Sequence, residues 1–513
     1  MRLRDRVAPA HADGTWRAPF FDAIVFLASS VRASAFSPAI RQRMSPELLA
    51  DRPFRQLARL AEQLADHAQA GEPDLLQQVQ YLRALLDTCR RCADSVHDHL
   101  EAHGVSVNIV FEIDQMRERT HRIDALLTCI VSPEPAREVA HLMADLVRTA
   151  DESRSIRALL AQHYSLLARK VAERSAATGE HYITRTFAEY RQMLGAAFGG
   201  GAVLAVTTFV KFALLAIPLS AFWGGFWAGV NYAASFVLVQ LLHFTVATKQ
   251  PAMTAPAMAE KLADVSDDAK VDSFVDEVAH LIRSQAAGIF GNLAAVIPVV
   301  LVAQAGAQLA FGAPLIDRPT AQHVLESLTL AGPTAFHAAF TGVLLFASSL
   351  IAGWVENWFV WHRLDSAITW NPRFIAVLGA ARARRWGLWW RANVSGFAAN
   401  ISLGLMLGIV PVVARFFGLP LDVRHVTLST GQLAAALGTE GLALLHQSAF
   451  WWCAAGIPIT AALNLSVSFL LAFRVALRSR GIRLADRSRI YRAIRARLWR
   501  RPLSFLWPTR NAA

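Results

Sequence analysis

The sequence predicts an all-α protein in two parts, a soluble helical bundle followed by a bundle of transmembrane helices. Hydrophobic residues make up 54% of its 513 positions and charged residues 18%, whereas soluble domains average roughly 45–50% and 25%. The apolar excess is concentrated after Gly195, in about six stretches that are each long enough to cross a bilayer. A hydrocarbon core of ~30 Å requires roughly 20 helical residues, and only helices or closed barrels satisfy their backbone groups there.

We divide the chain into four regions by composition. Residues 1–44 are expected to be irregular, residues 45–194 to form a cytoplasmic helical domain, residues 195–475 to form the transmembrane domain, and residues 476–513 to form a basic cytoplasmic tail. An apolar run at 20–31 is interrupted by an aspartate and follows a long, mixed-charge start, so we do not interpret it as a cleaved signal peptide.

Helix starts recur through the soluble half. Ser45, Pro46 and Glu47 combine a cap residue, a first-turn proline and a first-turn acid. Further helices are expected from about 74 to 103, from about 106 to 131, and from 135 toward 173. An apolar stripe on the helix at 74–103 has the spacing of a buried face, and it consists of Leu75, Val79, Leu82, Leu85 and Leu86.

The chain has four cysteines, too few for a disulfide scaffold. Cys89 and Cys92 form a C-x-x-C motif, and at 100° per residue His99 and His103 lie within roughly 80° of them on one helix. Such a stripe is a weak candidate for a metal site. Since leucines share this face, core packing is the favoured interpretation, and we expect neither a metal nor a cofactor.

Six spans are expected, with the first two joined by a very short turn near Trp223. Their approximate bounds are 197–222, 224–246, 287–311, 336–361, 394–417 and 449–475. Lysine and arginine concentrate after the second and fourth spans and in the tail, which holds twelve arginines from Arg474 to Arg510. The positive-inside rule therefore places both termini in the cytoplasm.

Polar side chains within the spans are candidate functional groups, because burying them in hydrocarbon is costly. The principal ones are Lys211, Asn231, Glu356 and Asn464, together with Gln240, Asn292, Gln304, Asn357 and Asn400. They are interpreted as interhelical hydrogen-bonding groups, with Lys211 either paired or reaching toward the interface. The alternative is a polar cavity or transport path around Lys211. No carboxylate lies near the middle of a span, which argues against a proton-coupled transporter.

Two small-residue patterns allow close approach of helices. They are Gly225-x-x-x-Gly229 and Gly404-x-x-x-Gly408. Helix packing is the favoured interpretation, and a bound lipid or substrate is the alternative.

The basic tail has the pattern of an amphipathic helix. Ile490, Ile494 and Leu498 share one face, and arginines cover much of the rest. We expect this helix to lie on anionic lipid, with binding of nucleic-acid phosphates as the alternative. The net charge of +12 is thus related to topology and lipid more than to nucleic acid. A protein partner is also expected for the N-terminal bundle.

Three segments resemble a known family. They are 242–255 where the second span ends, 400–408 within the fifth span, and 418–431 in the following loop. Together with the helical N-terminal half, they resemble the bacterial membrane proteins known as site-specific recombinases, after a gonococcal gene. The resemblance implies a multi-pass protein of the bacterial inner membrane with a role in DNA recombination. It supplies no catalytic residues, so those stay unknown.

The matching segments contain further candidate functional residues. The first group lies at the mouth of the second span and comprises His243, Thr248, Lys249, Gln250, Pro251 and Thr254. A cation, an amide and a hydroxyl there could hold a phosphate or carboxylate, and the proline is expected to end the helix. The second group comprises Asn400 in a span and Asp422, Arg424, His425 and Thr427 in an expected periplasmic loop. The alternative to a binding role is structural for both groups. The first group would then only cap a helix end, and the loop residues of the second group would only bond to one another.

The residues do not support recombinase chemistry. A tyrosine recombinase needs an arginine-rich pocket beside a nucleophilic tyrosine. The only suitable H-x-x-R is His280 to Arg283, and the only tyrosine after it is Tyr491 in the tail. The N-terminal half lacks the alternating pattern of a serine recombinase domain, and Gly199–Gly201 lacks the lysine of a P-loop.

Three functions therefore stay open on the sequence alone. The first is a membrane-located factor for DNA recombination, as the resemblance implies. The second is a transporter or channel with a polar path near Lys211. The third is a membrane scaffold or lipid-handling protein.

Overall fold

A computed structural model describes residues 15–70, 75–98, 107–153, 183–246, 250–263, 268–479 and 487–507, and every regular element in these ranges is helical. The all-α fold is confirmed. The chain divides into two compact units, one of residues 1–167 with 360–364, and one of residues 168–359 with 365–513.

The first unit contains seven described α-helices. They are α1 (Ala18–Ala35), α2 (Pro38–Arg41), α3 (Pro46–Leu49), α4 (Pro53–Ala70), α5 (Leu75–Asp98), α6 (Val107–Val131) and α7 (Pro135–Ser153). The expected starts of α3, α6 and α7 agree with these bounds to within a residue or two. The continuation of α7 toward residue 173 lies outside the described residues.

Helix α1 corrects the expectation that residues 1–44 are irregular. A proline in its first turn favours a helix start. Its buried residues recur at helical spacing, and they are Phe21, Ile24, Ala28, Val31 and Ala35. This stripe packs on α4 and α6. Asp22, which argues against a signal peptide, is exposed on the opposite face and does not disturb the buried stripe.

The core of the first unit includes the predicted stripe of α5. Val79, Leu82 and Leu86 are fully buried there, and Cys89 and Cys92 lie among them. On the outer side of this helix, the Nε atom of Arg83 lies 3.1 Å from Oδ1 of Asp124 on α6. The bundle is thus held by apolar packing, with ion pairs at its margin.

The second unit contains twelve described α-helices. They are α8 (Phe187–Ala216), α9 (Ala221–Leu241), α10 (Gln250–Ala263), α11 (Asp268–Phe311), α12 (Arg318–Leu328), α13 (Thr334–Trp361), α14 (Leu364–Thr369), α15 (Pro372–Leu378), α16 (Ala380–Phe416), α17 (Val426–Glu440), α18 (Ser448–Ser479) and α19 (Arg487–Arg500).

Seven described helices are long and apolar enough to cross a membrane. Six of them, α8, α9, α11, α13, α16 and α18, correspond to the six predicted spans, although α8 and α9 end five or six residues earlier than expected, and α1 is the seventh. We call the end of this unit at the α8–α9 turn (217–220) the hairpin end, and the end at α10 and α19 the tail end. The turn comes slightly earlier than expected, since Trp223 already lies in α9.

Glycines set the separation of α9 and α16. A Cβ atom on Gly404 would meet the backbone of Ala233, and one on Gly408 would meet Gly225 and Gly229. The two helices therefore touch backbone to backbone, as the small-residue spacing predicts.

Most amides within the spans hydrogen-bond across helices. Asn292 donates from Nδ2 to the carbonyl oxygen of Thr245, 2.9 Å away. Gln304 donates from Nε2 to the carbonyl oxygen of Ala435, also at 2.9 Å. Asn231 donates from Nδ2 to the carbonyl oxygen of Thr207 at 3.0 Å. These bonds fix the rotation of each helix against its neighbour.

Helix α17 is the main departure from the expected topology. Residues 418–431 were expected to form a periplasmic loop, but α17 begins at Val426 and lies inside the helical bundle. Its side chains from Val426 to Gly431 are all buried, and it packs on α8, α11, α12 and α18. The segment between α16 and α18 thus turns back into the bundle before it leaves again.

Candidate functional site

The candidate site lies where the chain re-enters the second unit. After α16 ends at Phe416, an irregular segment reaches His425, and α17 then begins. The start of α17 lies beside Asn464 on α18, and the same side chain reaches Ala338, four residues into α13. Irregular backbone among apolar helices needs polar partners from the surrounding protein.

Arg424 fixes the re-entrant segment to the surrounding helices. Its Nη1 donates to Oδ2 of Asp422 at 2.6 Å, and Nη2 donates to the carbonyl oxygen of Ser327 at 2.8 Å. Its backbone N–H donates to Oγ1 of Thr341 on α13, also at 2.8 Å. The side chain is 9% exposed, so this guanidinium is buried and satisfied by neighbours that are already in place.

Asn464 caps the buried end of α17. Its Oδ1 accepts from the backbone N–H of Val426 at 3.3 Å, and its Nδ2 donates to the carbonyl oxygens of Arg424 at 3.0 Å and Ala338 at 2.8 Å. The first amides of a helix have no partner within the helix. A buried helix end therefore needs such a group, and the side chain of Asn464 supplies it from α18.

Two histidines lie beside this end of α17. His337 on α13 is within hydrogen-bond distance of Pro420, its Nε2 lying 3.2 Å from the carbonyl oxygen. His425 directly precedes α17, is 3% exposed, and packs its ring 5.8 Å from that of Phe236 on α9. Thr427 is also buried, in the first turn of α17. Polar groups from α13, α17 and α18 thus converge beside an aromatic ring of α9.

Lys211 is brought to the same region by α8. It interacts electrostatically with Asp422 and Arg424, and Tyr232 on α9 interacts with Asp422. Lys211 lies five residues before the end of α8, about 8 Å from the hairpin end. Among the described residues, its ammonium group has no hydrogen bond or ion pair within bonding distance. The side chain of Asp422 is 43% exposed, so the region is not sealed by protein.

The charges of this region favour the binding of an anion. Lys211 and Arg424 carry two positive charges against one negative charge on Asp422, and the N-terminus of α17 adds its positive dipole end. Because the guanidinium of Arg424 is already bonded, Lys211 is the cation available to a ligand. Helix N-termini that point into a bundle serve as anion sites on the same principle.

The predicted group at the mouth of the second span is only partly described. Thr248 and Lys249 lie outside the described residues. His243 is exposed and has a positive φ of 56° where α9 has ended. Pro251 was expected to end α9, but it does not. It stands at the second position of α10, where proline is tolerated. Thr254 is fully buried within α10.

Asn400 and Glu356 are buried but belong to other surroundings. Asn400 on α16 donates from Nδ2 to Oε1 of Gln240 on α9 at 2.5 Å. Glu356 is 7% exposed near the end of α13. The structure therefore brings together Lys211, Asp422, Arg424, His425, Thr427 and Asn464, whereas Asn400, Glu356 and the α9–α10 group have other partners. Asn231 bonds the carbonyl oxygen of Thr207, one turn before Lys211.

The weak metal candidate is half described. Cys89 and Cys92 are fully buried in the core of the first unit, whereas His99 and His103 lie outside the described residues. Burial raises the pKa of both thiols, that of Cys92 to about 11. Within the described ranges, no cluster of three or more histidine, cysteine or acidic side chains could hold a metal ion.

The H-x-x-R motif has a structural role. Arg283 is 6% exposed and donates from Nη2 to the carbonyl oxygen of Thr184 at 2.9 Å. That guanidinium is enclosed by protein, so it does not present a surface to a DNA phosphate. The side chain of Tyr491 is not described.

Sequence reasoning missed four residues of the site, namely Ser327, His337, Thr341 and Tyr232. His337 and Thr341 stand four residues apart in a predicted span, so their polarity on one helical face was a usable signal. Ser327 contributes only its backbone carbonyl oxygen. Every residue type has this group, so the sequence contains no signal for it.

The chain matches one family model over nearly its whole length. The matched residues are 3–508, and the family is described as site-specific recombinase. No curated protein and no solved structure matches the chain with significance. On this match, the chain belongs to the site-specific recombinase family.

Proposed function

We propose that this protein binds a small anion within the membrane and moves it across, as a transporter or channel of the bacterial inner membrane with both termini in the cytoplasm. The observation that supports the proposal best is Lys211. It stands in an apolar helix, within electrostatic range of Asp422 and Arg424, and its ammonium group has no bonded partner among the described residues.

The re-entrant helix supports the same proposal. Transporter sites are commonly formed by interrupted helices whose ends point at the ligand near the middle of the membrane. Here α17 begins among the helices of the bundle, and Arg424, Asp422 and Asn464 hold its start in place. A rigid frame around one available cation suits selective binding of a chloride-, phosphate- or carboxylate-sized ion.

Anion flux from proteoliposomes tests this function. Vesicles with the purified protein are loaded with chloride, inorganic phosphate or acetate, and release is followed with time. We expect the wild-type protein to release at least one of these ions faster than empty vesicles. Lys211→Met should abolish that release, since it removes the charge and keeps the length of the side chain.

Arg415→Met is the matched control. Arg415 is an exposed cation in the last turn of α16, at the same end of the unit. Its replacement removes an equal charge without touching the site and should leave release unchanged. Equal release by the Lys211→Met and wild-type proteins, or no release of any of the three ions, would contradict the proposal.

A role in DNA recombination is the second candidate, and the family name favours it. The described part of the tail also exposes Arg495, Arg500 and Arg501. Labelled DNA is incubated with the detergent-purified protein over a salt series. Salt-sensitive binding is expected if the tail contacts phosphates, and a covalent adduct that survives denaturation would indicate strand-transfer chemistry. The absence of both would remove this candidate.

A further inference from the structure

A large apolar cavity lies between helices of the second unit and extends from the tail end along α11 and α18. Its volume is about 870 Å³, and residues of α10, α11, α18 and α19 line it. Small-molecule sites commonly span roughly 300–1,000 Å³. Met258, Phe274, Phe290, Phe469 and Phe473 are among the lining residues. A space of this size and chemistry suits a hydrocarbon chain.

One buried amide in this cavity has no partner. Gln285 on α11 lines the cavity and is 7% exposed, and neither Nε2 nor Oε1 has a hydrogen-bond partner among the described residues. A buried amide without partners is destabilising unless a ligand or solvent satisfies it. Gln285 precedes the predicted third span by two residues, so we expect it at the membrane interface, where the ester groups of a lipid lie.

Basic residues adjoin the cavity lining on α19. Ile490 and Ile494 on this helix line the cavity, and Arg495, Arg500 and Arg501 are exposed on the same helix and just after it. Arg497 forms an ion pair with Asp276, which ties α19 to α11. The cavity therefore combines an apolar lining and one polar group with exposed cations on an adjoining helix.

We propose that this cavity binds one anionic phospholipid. An acyl chain occupies the apolar interior, an ester oxygen accepts a hydrogen bond from Nε2 of Gln285, and the phosphate lies against Arg495 and its neighbours. This order of groups matches that of a phospholipid from tail to head. The site is independent of the proposed anion path, because no residue contributes to both.

Native mass spectrometry of the full chain tests the proposal. The protein is released from vesicles of equal dioleoyl-phosphatidylglycerol and dioleoyl-phosphatidylcholine, and retained lipid is counted. We expect one phosphatidylglycerol per chain. Since each arginine near anionic lipid changes affinity by a factor of roughly five, the double variant Arg495→Gln/Arg500→Gln should lower retention roughly 25-fold.

Two further variants probe the interior. Ala462 and Ser466 line the cavity on an exposed face of α18, so Ala462→Phe should fill the cavity without disturbing the core and displace the lipid. Gln285→Leu should lower retention roughly fivefold through the lost hydrogen bond. Because it also removes an unsatisfied amide, it should not lower the melting temperature of the delipidated protein.

The controls are matched in type and position. Arg384→Gln/Arg385→Gln removes two exposed cations at the tail end of α16, and Ala455→Phe adds the same bulk on α18 away from the cavity. Both should retain lipid as the wild-type protein does. Equal retention of the two phospholipids, or unchanged retention in Ala462→Phe, would overturn the proposal.

Discussion

Replacing Asn464 with leucine should destabilise the second unit more than replacing a span amide that makes a single interhelical hydrogen bond. The side chain is fully buried and makes three hydrogen bonds, to the backbone of Val426, Arg424 and Ala338. Leucine has a similar size but cannot make them. At roughly 0.6–1.7 kcal/mol for each bond inside a membrane protein, the loss is about 2–5 kcal/mol.

The assay is unfolding by a denaturing detergent titrated into mixed micelles, followed by far-UV circular dichroism. Asn231→Leu is the matched control, because Asn231 makes one interhelical bond, to the carbonyl oxygen of Thr207. That change should cost about 0.6–1.7 kcal/mol. If Asn464→Leu costs no more than Asn231→Leu, the buried end of α17 does not depend on this cap and the reasoning is wrong.

Two further changes test the packing. Gly404→Leu should lower the free energy of unfolding by about 1–3 kcal/mol or prevent folding, because its side chain would meet the backbone of Ala233. The measurement is a thermal melt. Gly224→Leu is the control and should be tolerated, because a Cβ atom on Gly224 meets nothing within 4 Å. Cys92 should resist a maleimide in the folded protein at pH 8, since burial raises its pKa to about 11 and the reactive thiolate forms only as the pH rises toward that value. Rapid labelling at pH 8 without denaturant would contradict its burial, and labelling in denaturant serves as the control.

The sequence predicts the spans well because their signal is local. Each span is a continuous apolar stretch of about the length that a bilayer requires. The glycines of α16 and the leucine stripe of α5 are also local patterns, because helical spacing alone assigns them to one face.

Helix α17 could not be predicted in the same way. It is only 15 residues long, shorter than the roughly 20 needed to span, and its threonines, serine and glycine resemble a loop. Its burial comes from the helices that surround it. The proximity of Lys211 to Asp422, more than two hundred positions away, likewise depends on the packing of α8 against the re-entrant segment. The sequence could therefore identify several polar residues of the candidate site, but it could not show that they lie together.

Equilibrium binding of inorganic phosphate and chloride to the purified protein, by isothermal titration calorimetry, tests the central claim most directly. The account predicts one saturable site per chain for at least one of these ions, lost in Lys211→Met and kept in Arg415→Met. Binding that survives in Lys211→Met, or no binding by the wild-type protein, would contradict an anion site formed by Lys211 and the buried end of α17.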